Sequence, residues 1–244
     1  MRSSPTRSIS DWKTPYNSIS DNYRKNMTWI MNRLLTLALL LAALQVSAQT
    51  EYNFQKRSAF ERLPVKSSDI VFLGNSITDY GPWQELFPNR KIKNRGISGD
   101  RTAWMLDRLD PIVEGKPKKV FLMIGVNDLG AGAAPQKVAD NIEEILERFA
   151  AGSPRTKVYV QSILPVNDNI SKYAGRHGSK DAEIVQTNRL VKEICDRRGI
   201  TYIDVYSALV GDDGKLKLEH TNDGLHLMMS GYEVWKTVIE KYVK

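Results

Sequence analysis

Cysteine is almost missing from this chain. Cys195 stands alone among 244 residues, so no disulfide can form within one chain and no thiol cluster is available for a metal. It follows the apolar stretch Leu190, Val191 and Ile194, which reads as a small buried hydrophobe rather than a nucleophile. Histidine is scarce too, at three. No spacing of histidine with carboxylates matches a zinc site, so neither a metal nor any other cofactor is expected. No internal period of about 20 to 50 residues is present, which excludes solenoids and propellers. Collagen-like, disulfide-scaffold, polytopic-membrane and fully disordered classes are excluded by an ordinary globular composition.

Long apolar runs are missing as well, with one exception. Residues 34–46 are almost purely apolar, preceded by Asn32-Arg33 and followed by Val46-Ser47-Ala48-Gln49. The run is shorter than the roughly 18 to 20 residues that span a bilayer. It matches a secretory signal over about residues 27–48, with cleavage after Ala48 and export to the periplasm or beyond. No cysteine follows the cleavage site, so no lipid anchor and no stable membrane attachment are expected. Residues 1–26 are polar and unpatterned. The leader begins naturally at Met27 or Met31, which places the recorded start upstream of the true one.

The basic excess shrinks once that leader is set aside. The whole chain carries a formal charge of +7, but residues 1–48 hold six of the basic and only two of the acidic side chains. The remainder, 49–244, reads as a single domain of net charge +3 whose charges of both signs are interspersed. That is no footprint for nucleic acid.

From about residue 65, short apolar runs alternate with helix-period segments. Strands are expected at 70–73, 91–94, 120–124, 158–161 and 201–204. Helices are expected where Val138, Ile142, Ile145 and Phe149, then Ile184, Val191 and Ile194, then Trp235, Val238, Ile239 and Tyr242 recur on one face. Alternating β and α with near-continuous apolar strands predicts a parallel sheet covered on both faces. Ligands of such sheets bind beyond the carboxyl ends of the strands.

The residues in those positions are chemically telling. Gly74-Asn75-Ser76 follows the first strand, Gly96-Ile97-Ser98-Gly99-Asp100 the second, and Gly125-Val126-Asn127-Asp128 the third. Asp223-Gly224-Leu225-His226 lies beyond the fifth. A serine hydroxyl is a weak nucleophile until a base takes its proton, and a neutral imidazole is the usual base near pH 7. Asp223 and His226 are close enough in sequence for a tight loop to set the carboxylate against the ring and fix its tautomer. The backbone N–H groups of Ser76 and Gly99 and the Asn127 amide are candidate donors for the oxyanion of a tetrahedral intermediate. The chemistry indicated is acyl transfer, with the ester left open.

These four blocks, in this order, resemble the SGNH (GDSL-like) hydrolase family, and the resemblance runs from about Asp69 to Tyr242. It implies an α/β, flavodoxin-like three-layer α/β/α sandwich with a central parallel sheet of about five strands. It also implies Ser76 as nucleophile, Asp223 and His226 as the rest of the triad, and Ser76, Gly99 and Asn127 as the oxyanion hole. Asn75 stands where the family's naming motif has aspartate. Thr78 stands where a Gly-x-Ser-x-Gly elbow has its second glycine, which argues against the α/β-hydrolase fold.

Residues 83–87 and 94–102 look most like the acetylhydrolase branch, which includes platelet-activating-factor acetylhydrolase catalytic subunits and bacterial carbohydrate acetylesterases. The resemblance thus implies a small acyl group and removal of O-acetyl groups from sialic acid or polysaccharide. A lysophospholipase or thioesterase on longer chains, and a glycan-binding module without turnover, are the alternatives. Among other residues, His220 reads as a loop residue near the pocket and His177 as a solvated residue of a loop over the site. Trp83 and Trp104 read as core.

Overall fold

The computed structural model describes residues 26–33, 51–88, 90–170 and 172–244. They belong to two units, Met1–Thr50 and Glu51–Lys244. In the first, residues 26–33 are helical and the Arg33 guanidinium lies 3.9 Å from the Trp29 ring centre. The apolar run 34–46 and the expected cleavage site at Ala48 lie outside the described residues. Among the described residues no helix is long and apolar enough to cross a membrane.

Five parallel strands organise the second unit: β1 (Ile70–Gly74), β2 (Ile92–Gly96), β3 (Lys119–Met123), β4 (Lys157–Gln161) and β5 (Thr201–Ile203). Their order is β2-β1-β3-β4-β5, so the winding reverses between β1 and β3 and opens a crevice at the carboxyl ends there. Every residue of β1 and β3 is buried, which is why both appear in sequence as unbroken apolar runs. Strand β2 differs from expectation. Its ladder continues two residues further, pairing Arg95 with Leu73 and Gly96 with Gly74. Backbone pairing carries the strand through a polar end, and the Arg95 side chain is hidden by donating to the Leu63 carbonyl at 2.5 Å and stacking over Phe60 at 4.5 Å.

Register builds the core. Phe72 pairs with Phe121 and Phe121 with Tyr159, so three aromatic rings fall in line on one face and stack at 5.0 and 4.9 Å. Trp83 of the short helix Trp83–Leu86 stacks on Phe72 at 4.1 Å, and Trp235 meets Trp83 edge-on at 4.7 Å. The alternate side chains, Val71, Leu73, Val120 and Leu122, turn the other way. They join a buried cluster with Val138, Ile142, Ile145 and Phe149 of the helix Pro135–Gly152 and with Ile184, Val191 and Ile194 of the helix Asp181–Arg198. Cys195 is fully buried there, and burial pushes its thiol up to about 12.

The helix Met229–Val243 ties the sheet to the site. The Tyr232 hydroxyl donates to the Ile77 carbonyl at 2.7 Å, and the Trp235 indole N–H donates to Gln161 Oε1 at 2.6 Å. Lys119 Nζ donates to the carbonyls of Tyr242 and Lys244. These bonds fix the helix that directly follows the segment carrying His226.

Candidate active site

Ser76 opens a one-turn helix, Ser76–Asp79, at the carboxyl end of β1. Asn75 caps that helix by accepting from the Ile77 backbone N–H at 3.0 Å. A cap of this kind contributes about 1 kcal/mol, which accounts for asparagine immediately before the serine. His226 Nε2 lies 2.9 Å from Ser76 Oγ, and His226 Nδ1 lies 2.8 Å from Asp223 Oδ2. The other oxygen of Asp223 accepts the backbone N–H groups of Leu225 and His226 at 2.9 and 2.8 Å. The loop thus folds around its own carboxylate and presents the ring.

Burial alone pushes the Asp223 carboxyl up. The His226 backbone N–H, the His226 ring and the Leu225 N–H together outweigh burial and hold it below the ordinary carboxylate range. Tyr80 and Tyr173 flank the imidazole, with ring centres 5.0 and 5.4 Å from it, the second edge-on.

Three candidate donors lie just beyond β1, β2 and β3. Gly99 has φ of +79°, a left-handed conformation that glycine adopts without cost. Neither the Ser76 nor the Gly99 backbone N–H has a protein acceptor among the described residues. Asn127, on the helix Val126–Gly130 beyond β3, donates from Nδ2 to the Asp100 carbonyl at 3.0 Å. That leaves the second amide hydrogen free. Asp100 itself is clamped by Arg108, whose Nε is 2.8 Å from Oδ2. Arg108 also donates to the carbonyls of Arg95 and Gly74 at 3.1 Å each. One buried guanidinium therefore joins the ends of β1 and β2 to the Gly99-Asp100 loop.

Asp128 receives the Thr102 backbone N–H at 3.1 Å and its hydroxyl at 2.6 Å, at the start of the helix Thr102–Leu106. Burial raises its carboxyl, and the Thr102 bonds act against that. Asp79 receives Tyr52 Oη and Lys56 Nζ, both at 2.6 Å, from the helix over residues 51–62.

The structure brings Ser76, Gly99, Asn127, Asp223 and His226 to one sheet edge, and it corrects two other expectations. His177 is not solvated: it is 4% exposed, with Nε2 3.2 Å from Asn127 Oδ1. Ala174–His177 forms a helical turn whose last residue meets Asn127. Trp104 is not core but 41% exposed, with the Arg101 guanidinium 4.9 Å from its ring centre. Only one face of its short helix is needed to cover the sheet, and Met105 and Leu106 supply it. Trp83 is buried as expected. His220 is buried, with Nδ1 3.2 Å from Ser230 Oγ.

Arg108, Tyr80 and Tyr173 are absent from the sequence reading. A signal for Arg108 existed, since it lies between the apolar Leu106 and Leu109 and eight residues after an aspartate. Among the described residues no group of three His, Cys, Asp or Glu is arranged to hold a metal ion.

Comparison with known proteins agrees with this geometry. Residues 72–234 match the GDSL-like Lipase/Acylhydrolase family. The rat platelet-activating factor acetylhydrolase IB subunit alpha2 is 29% identical over 174 residues, covering 68% of this chain and 72% of its own. A structure from Streptococcus pneumonia described as a platelet activating factor is 31% identical, with a TM-score of 0.76, covering 86% of this chain and 99% of its own. An acetylxylan esterase from Geobacillus stearothermophilus shares the fold at 16% identity, with a TM-score of 0.58 over 73% of this chain and 95% of its own. With serine, glycine and asparagine just beyond β1, β2 and β3 and histidine in the loop before the last helix, the chain belongs to the GDSL-like lipase/acylhydrolase family, the SGNH hydrolases, and is a hydrolase of ester bonds.

Proposed function

We propose that this protein is an exported acetylesterase that removes O-acetyl groups from carbohydrate through an acyl-enzyme on Ser76. The observation that carries the reading is the unbroken relay from Asp223 through His226 to Ser76 Oγ, at 2.8 and 2.9 Å. Ser76 Oγ attacks the ester carbonyl carbon while its proton passes to His226 Nε2. Asp223 holds the Nδ1–H tautomer and stabilises the imidazolium. The backbone N–H groups of Ser76 and Gly99 and the Asn127 amide receive the oxyanion, each worth on the order of 10² to 10³ in rate. Collapse of the intermediate sends the alcohol away with the proton from His226. Water, deprotonated by the same ring, then releases acetate and frees Ser76.

The small acyl group is supported by the acetylhydrolase relatives. Carbohydrate is supported by Trp104, an exposed indole with a cation stacked on it, five residues after Gly99. Sugar rings present apolar C–H faces to such a platform. Export rests on the leader-like residues 27–48 and makes extracellular or periplasmic glycan the natural substrate.

An acyl-length series of p-nitrophenyl esters, from acetate to palmitate, tests the reading with Ser76→Ala as the blank. Ser76-dependent turnover falling steeply beyond acetate is expected, followed by acetate release from acetylated xylan or sialic acid. A maximum at long chains overturns it in favour of a lipid esterase or thioesterase.

A further inference from the structure

His177 belongs to none of the family blocks, yet its ring touches the amide of Asn127. We propose that His177 is a positioning residue for the oxyanion hole: donating from Nε2 to Asn127 Oδ1, it holds the side-chain amide with Nδ2 turned toward the developing oxyanion. The inference rests on Asn127 being an oxyanion donor.

An asparagine amide has two orientations of nearly equal shape, distinguished only by what its oxygen and nitrogen meet. With Nδ2 on the Asp100 carbonyl at 3.0 Å and Oδ1 on His177 Nε2 at 3.2 Å, both ends are matched. Turned over, Oδ1 would face the Asp100 carbonyl oxygen and Nδ2 would face an N–H, so both ends would repel.

That discrimination requires the proton of His177 to be on Nε2. Among the described residues, His177 Nδ1 is buried with no hydrogen-bond partner. A proton there would be a buried orphan donor, whereas an unpaired acceptor is the more tolerable of the two. Burial, reinforced by the charges of Arg176 and His226, lowers the ring to about 4. The ring is therefore neutral near pH 7, and places no second positive charge beside His226.

Gly130 gives the ring its room. A Cβ on Gly130 would come within 2.7 Å of His177 Cδ2 and 2.8 Å of Nε2. Tyr173 lies edge-on to both imidazoles, 6.1 Å from His177 and 5.4 Å from His226. The segment bearing His177 is thereby registered against the base and the oxyanion donor at once.

The test is a double-mutant cycle on the full chain with p-nitrophenyl acetate, each variant first checked by its melting temperature. His177→Leu should lower kcat about tenfold, the loss of one orienting hydrogen bond, with KM within about twofold. His177→Gln, which keeps an N–H donor at similar reach, should recover most of it. Asn127→Ala should lower kcat by about 10², and adding His177→Leu to it should cost nothing more. Gly130→Ala displaces the ring without changing the imidazole and should reproduce the kcat loss, which keeps the test usable if His177→Leu does not fold. Losses that multiply in the double variant, or an unchanged kcat in His177→Leu while Asn127→Ala is impaired, overturn the positioning role alone. An unchanged kcat in Asn127→Ala overturns the oxyanion reading and this inference with it.

Discussion

The two edges of the sheet are built from the same strands and treat charge in opposite ways. At the carboxyl edge, Asp79, Asp100, Asp128 and Asp223 each have close polar partners, and Arg108 is buried with three acceptors. At the amino edge, Lys116, Lys118, Arg155 and Lys157 line one concavity, exposed, with no ion-pair or hydrogen-bond partner for their side chains among the described residues. Of the basic residues lining it, Lys119 is tied down, and burial together with its lysine neighbours lowers its ammonium. Buried, mutually bonded charge fixes geometry to within a few tenths of an ångström. Free surface charge fixes nothing and costs little. One edge is therefore machinery, and the other is the solvated end of a scaffold.

Substitutions can sharpen or break that contrast. The largest effect is expected from Ser76→Ala, which should lower kcat by about 10⁴ or more and leave the melting temperature nearly unchanged. Retained turnover would remove Ser76 from the chemistry. Next comes Arg108→Met. It strands the buried Asp100 carboxylate, a change that costs about 3 to 5 kcal/mol, seen as a fall in melting temperature of about 10 °C for a unit this size. A melt within a degree or two of wild type would mean that the guanidinium is not what joins the strand ends.

A subtler effect is expected with pH. Asp223 is held below the ordinary carboxylate range. Its stabilisation is therefore fully present above the unfolded value near 4 and is lost as pH falls through the lower folded value. The melting-temperature gap between wild type and Asp223→Asn should close as pH drops from 5 toward 2. A gap constant over that range would contradict the assignment. Smallest of all, Lys118→Ala with Lys157→Ala should leave kcat/KM within about twofold and stability within about 0.5 kcal/mol. A larger loss would show that the amino edge is not inert.

Much of the carboxyl edge was readable because its groups follow strands whose apolar runs announce themselves. Ser76, Gly99, Asn127 and the Asp223–His226 pair all come within a few residues of a strand or turn signal, and topology does the rest. His177 was not readable for the same reason in reverse. It sits sixteen residues past the end of β4, in a segment with no period, and only tertiary folding carries it back to Asn127. Polar flanks suggest solvent to any local reading, but the space above Gly130 decides otherwise. Trp104 fails from the opposite side: its residue type says core, and a five-residue helix has too few faces to bury them all. The end of β2 was missed because backbone pairing carries the ladder through Arg95 and Gly96, which show no apolar run.

The bond between His226 and Ser76 spans 150 positions of chain. A ribosome adding about 5 to 20 residues per second adds the proposed base roughly 8 to 30 seconds after the proposed nucleophile. During that interval the nascent chain carries a serine with no partner to deprotonate it, and Tyr232, which anchors the serine's own helix, has not yet been made. On the proposed relay, a chain terminated before residue 226 lacks the base that Ser76 needs, however much of its sheet it has formed.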